Sequence, residues 1–93
     1  MATENIDIAR KSYRTSLRAK LKRQYSREAE QGMNQDRRWV NGFMAAGFHS
    51  GLMSLQQLKV ECATAFKYAN GRKMTDAEDV RLEQRLARLC ADA

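Results

Sequence analysis

Residues 6–30 read IDIARKSYRTSLRAKLKRQYSREAE, and this stretch decides the fold. Ile6, Tyr13, Leu17, Leu21 and Tyr25 recur at spacings of seven, four, four and four, which lines them along one face of an α-helix. Gln31-Gly32 supplies the stop, with glycine suited to the position just past a helix end. Met33-Asn34-Gln35-Asp36 then reads as a connector, with Asn34 or Asp36 available as the next N-cap. The chain has no Pro, little Val, Ile and Thr, and no sustained apolar–polar alternation, so no strand is expected.

Beyond the connector, Trp39, Val40, Phe43, Met44 and Phe48 keep i, i+4 spacing, and Leu55, Leu58, Cys62, Ala65 and Ala69 alternate threes and fours. Ser54 with Gln57 has capping-box form, which favours a break near Ser50–Ser54 and two helices. The alternative is one long helix in which Gly47 and Gly51 admit a close neighbour. Asn70-Gly71 closes the region, and Thr75-Asp76-Ala77-Glu78 opens the last helix with a second capping box and negative charge at its positive end. Leu82, Leu86 and Leu89 carry its apolar stripe. The expectation is a single all-α domain over residues 1–93, a small three- to four-helix bundle with a long basic first helix. Its helices fall near 6–30, 36–49, 54–69 and 75–90.

Charge is the next feature. The 93 residues hold 17 Lys+Arg against 11 Asp+Glu, a formal net charge of +6. Residues 1–38 have ten cations and five acids, whereas residues 39–93 have seven and six, so nearly all the excess precedes Trp39. Between Ile8 and Arg27 lie Arg10, Lys11, Arg14, Arg18, Lys20, Lys22, Arg23 and Arg27 without one acid. A solvated helix ordinarily mixes signs, because opposite charges at i, i+4 support it. Arg18, Lys11 and Lys22 flank the apolar stripe on one side, and Lys20, Arg27 and Arg23 on the other. Arg10 and Arg14 fall within it.

Interleaved Arg and Tyr suit bidentate pairing with phosphate and stacking on flat rings. The bland alternative is that long Arg stems cover an apolar seam while their heads stay in water. Trp39, beside Arg37 and Arg38, is expected to be buried as an anchor. The stripe Arg81, Arg85 and Arg88 is expected to be solvated.

Chemistry is constrained by what the inventory lacks. Two distant Cys and one His cannot build a disulfide framework or a zinc module. Cys62 and Cys90 fall in apolar stripes and are expected to be reduced core thiols in a cytoplasmic protein. No secretory signal or membrane span is read. His49 has no acid or thiol within helical reach, and neither a nucleophile–base spacing nor a phosphate-binding glycine loop occurs. A helix-turn-helix is disfavoured, since the helix after Asn70–Met74 opens with Asp76, Glu78 and Asp79. No catalytic residue, cofactor or metal is expected.

Arg38-Trp39 followed by Gly51-Leu52-Met53-Ser54-Leu55 resembles a pattern in small phage proteins that sequester cyclic-nucleotide signals. The stretch is short and brings no binding residue over. In size, charge and want of catalytic motifs the chain is also similar to small phage-borne inhibitors of bacterial defence.

The expected function is non-catalytic binding of nucleic acid or a ribonucleoprotein machine. Arg10, Lys11, Arg14, Arg18, Lys22 and Arg23 would meet phosphates, with Tyr13 and Tyr25 stacking or orienting the arginines. The alternative is an inhibitor or adaptor that binds a host protein complex directly, with Trp39, Phe43 and Phe48 as interface anchors. A nucleotide sponge is a third, weaker alternative. Met33, Met44, Met53 and Met74 add adaptable packing surface. A homodimer or a groove receiving another protein is expected, with a monomeric bundle as the alternative.

Overall fold

The computed structural model describes residues 2–32 and 36–91. Helix α1 spans Ala2–Gln31, α2 Arg37–His49, α3 Leu55–Asn70 and α4 Asp76–Ala91. The result is an all-α four-helix bundle, and its helix boundaries follow from local chemistry. α1 stops where Gly32 turns left-handed (φ +67°) and donates its N–H to the Glu28 carbonyl at 3.0 Å. Gly71 ends α3 in the same conformation, donating to the Lys67 carbonyl at 2.8 Å.

The break between α2 and α3 falls at residues 50–54. Ser54 Oγ accepts from the Gln57 N–H at 3.1 Å while Gln57 Oε1 accepts from the Ser54 N–H at 2.8 Å. Thr75 and Glu78 form the matching reciprocal pair, at 3.2 and 2.9 Å, ahead of α4. Asp36 takes the N-cap position of α2 but makes no side-chain cap bond. Asn34, the other candidate cap, and Met33 lie outside the described residues.

The helices pack as a ring in which α1 touches α2 and α3, and α4 touches the same two. The α1–α3 interface is the most extensive. The diagonal pairs meet through side chains at the centre: Cys62 Sγ lies 3.6 Å from Met44 Sδ, and Arg85 reaches Gln24. Leu17, Leu21, Met44, Leu58, Cys62 and Leu86 are sealed from solvent, with Tyr13 and Tyr25 at the ends of the α1 stripe.

Two expectations change here. α1 begins before Ile6, and Ile6 is 46% exposed, because the other helices end short of it. A 30-residue helix spans roughly 45 Å, close to the 44 Å long axis of the molecule. The first turns of α1 therefore extend beyond the core. Among the described residues no helix is long and apolar enough to cross a membrane.

Candidate nucleic-acid interface

The inward face of α2 is set by Val40, Met44 and Gly47. Gly47 lies against Tyr13: a Cβ there would come within 2.7 Å of Tyr13 Cε1. Tyr13 in turn stacks on Phe43 (centroids 4.6 Å apart, planes 11°) and its hydroxyl donates to the Phe43 carbonyl at 2.7 Å. Burial pushes the Tyr13 phenol up to about 12. Tyr25 is buried edge-on against Phe66, with centroids 5.7 Å apart. Neither tyrosine is free to stack on a ligand or to orient surface arginines, which corrects the role expected of them. They belong to the core because the α1 stripe is wide enough to take both rings inside.

Trp39 is the opposite case. It was expected inside, yet it is 81% exposed. It precedes Val40 by one residue, about 100° around the helix, and α2 turns its Val40, Met44 and Gly47 face, not this edge, inward. Lys20, Arg38, Trp39, Gly42 and Phe43 line an open groove of about 580 Å³ between α1 and α2. It continues into a smaller hollow bordered by Arg23 and Asp36. Lys20 Nζ stands 5.0 Å from the Phe43 ring centroid. Of the three aromatic anchors, Trp39 is open, Phe43 forms the groove floor, and Phe48 packs partly buried against the core.

The cations of α1 divide by what they touch. Arg18 makes a two-pronged contact with Glu61 of α3, at 2.6 and 3.1 Å. Lys22 Nζ sits 4.6 Å from the ring centroid of Tyr68, itself 68% exposed. Arg27 and Arg23 approach Asp36 Oδ2 at 3.2 and 3.7 Å. In the three ion pairs the guanidinium is the exposed partner and the carboxylate the sheltered one, so the outer faces of these arginines stay open to a further anion. Arg10 makes a single long contact, 3.5 Å to the Gly51 carbonyl. Lys11, Arg14 and Arg38 are exposed and have no ion-pair or hydrogen-bond partner among the described residues. The acid-free run is therefore partly explained by interhelix pairing, and its unpaired remainder lies toward the N-terminal end.

Three residues outside the expected site prove structurally central. Gln24 is buried at the middle of the α1 stripe, and Arg85, expected in water, is partly buried and reaches inward from α4. Arg85 Nη2 donates to Gln24 Oε1 at 3.0 Å and Nε to Asn41 Oδ1 at 2.6 Å. The one available signal was Gln24 itself, a polar residue between Leu21 and Tyr25. Cys62 is buried, and desolvation pushes its thiol up to about 11; Cys90 is half-buried, and both are free. Among the described residues no cluster of three or more His, Cys, Asp or Glu could hold a metal ion. No protein-family model matches the chain, and neither curated proteins nor solved structures give a match.

Proposed function

We propose that the protein is a non-catalytic nucleic-acid-binding bundle whose contact surface is the α1–α2 edge, with Trp39 as a stacking platform. The observation that carries this is the 81% exposure of Trp39 at the rim of a groove shared with Lys20 and Arg38. An exposed indole beside cations suits an unpaired base whose phosphates lie along Lys20, Arg23 and Arg38. Arg10, Lys11 and Arg14 extend positive charge along α1, which favours long-range attraction with little sequence preference. A stacking platform needs a splayed base, so single strands should bind better than duplexes.

Trp39 is the sole tryptophan, so its fluorescence reports the contact directly. Titration with a mixed-sequence single strand should quench it, with an affinity that falls steeply as salt rises. Trp39→Ala should weaken binding by roughly 5- to 150-fold, the range of one base–aromatic stack. Arg38→Glu should weaken it and flatten the salt slope. Unquenched fluorescence, or an affinity insensitive to salt, sinks the proposal.

A second function is favoured by a different observation. Ile8 is 67% exposed and Ile6 46% on the projecting turns of α1, and phosphates have no use for apolar side chains. These residues and Trp39 suit an adaptor or inhibitor that docks on a protein. A pull-down from nuclease-treated bacterial lysate separates the two: one stoichiometric protein retained favours the adaptor.

A further inference from the structure

A second groove, of about 520 Å³, opens between α2 and α4 on another side of the bundle. Arg37, Asn41, Arg81, Gln84, Arg85 and Arg88 line it, and no carboxylate does among the described residues. Four arginines around one hollow repel one another unless something offsets them. One is offset directly: Arg37 pairs with Glu28 through two contacts of 3.0 Å. Glu28 and Glu78 line an adjoining hollow with Arg37, Arg81 and Arg85, but Arg81, Arg85 and Arg88 make no ion pair among the described residues. Arg81 and Arg88 are exposed and without an ion-pair or hydrogen-bond partner among the described residues.

Arg85 is held differently. Asn41 and the buried Gln24 accept from its Nε and Nη2. Both acceptors are neutral amides, so they fix the plane of the guanidinium without cancelling its charge. Nη1 has no acceptor among the described residues. Burial lowers the pKa of Arg85, a cost that an anion in the groove would offset. A guanidinium fixed by second-side contacts and left with free N–H groups is the form in which arginine recognises phosphate.

We propose that the α2–α4 groove binds an oligophosphate chain, with Arg85 as the fixed fork and Arg81 and Arg88 closing on successive phosphates. Arg81 and Arg88 are seven residues apart on α4, roughly 10 Å of helix. A chain of two or three phosphates matches the length of this row, so each guanidinium can meet its own phosphate. The shared chemistry is the phosphate chain, whether inorganic or carried by a free nucleotide. This site is independent of Trp39 and the α1–α2 edge.

The test is calorimetric titration of the full chain with sodium tripolyphosphate and, separately, ATP at near-physiological salt. Comparable binding of both places the affinity in the phosphate chain, and tighter ATP binding adds a base contact; either supports the site. Binding of ATP with none of tripolyphosphate, or of neither, overturns it. Arg81→Gln with Arg88→Gln removes only exposed side chains and should weaken binding tenfold or more for each arginine lost. Unchanged binding in a folded double variant overturns the site as well. Backbone amide shifts in the unmodified protein give a check that needs no variant. Tripolyphosphate should move residues 37, 41, 81, 85 and 88, and shifts centred on Lys20 and Trp39 count against the proposal.

Discussion

Gly47 shows how one missing methyl group can set a helix pair. The Tyr13 ring occupies the space a side chain at 47 would need, and its hydroxyl is tied to Phe43 on the same helix. Gly47→Ala should therefore force the ring or α2 to shift. The expected loss is about 1–3 kcal/mol, typical of overpacking in a tight core, measured by urea unfolding. Adding Tyr13→Ala should cost less than the sum of the two single changes, because the collision then vanishes. Equal, additive losses would show that the two residues do not meet as described. The contact between Gly47 and Tyr13 also explains why Trp39 lies outside, against what apolar spacing implies. Apolar spacing alone ranks Trp39 with Val40 and Phe43, but it is the glycine that chooses which arc of α2 faces inward.

At the scale of an element, α4 is the clearest case of local chemistry being enough. Thr75 and Glu78 are three residues apart, so their capping box was legible in sequence and is formed. The partner that sequence did not offer is Arg72, whose guanidinium grips both Glu78 oxygens at 2.7 and 3.2 Å. Together with the Thr75 N–H it holds the Glu78 carboxyl down to about 2, from an ordinary 4.5. A carboxyl lowered by folding contributes stability that is complete above about pH 4.5 and is lost as the pH falls through about 2. The urea midpoint should drop between pH 5 and pH 2.5, and by less in Glu78→Gln than in the unmodified chain. An identical drop in both would remove Glu78 from the account. Arg85 is the contrary case on the same helix. Its partners Asn41 and Gln24 are 44 and 61 residues away, so no periodicity within α4 could separate it from the exposed Arg81 and Arg88.

For the whole molecule, spacing and capping led to an all-α bundle of three or four helices and favoured the break near residues 50–54, and the structure has four helices with that break. The surroundings of the cations were less legible. Charge density pointed to α1, and α1 does carry the cations, but pairing with Glu61 and Asp36 and contacts with Phe43 and Tyr68 distribute them over two interfaces. Such pairings are set by which helices become neighbours, and residue counts do not carry that information. The overhang of α1 gives a further expectation. Residues 5–12 are exposed throughout, so a chain starting at Arg10 should unfold at the same urea concentration within about 0.5 kcal/mol of stability. A larger loss would mean that the first turns pack on the bundle.

The ring order of the helices also divides the fold into two sequence-local halves. α1 with α2, and α3 with α4, are each joined across a short link and can close early as separate helical hairpins. The α1–α3 and α2–α4 interfaces join residues far apart in sequence and hold the two hairpins together. Residues 50–54 are then a hinge between two halves. A copy whose hinge opened could lend its α1–α2 hairpin to a second copy and keep every native interface, giving an exchanged dimer from the same contacts that hold one chain.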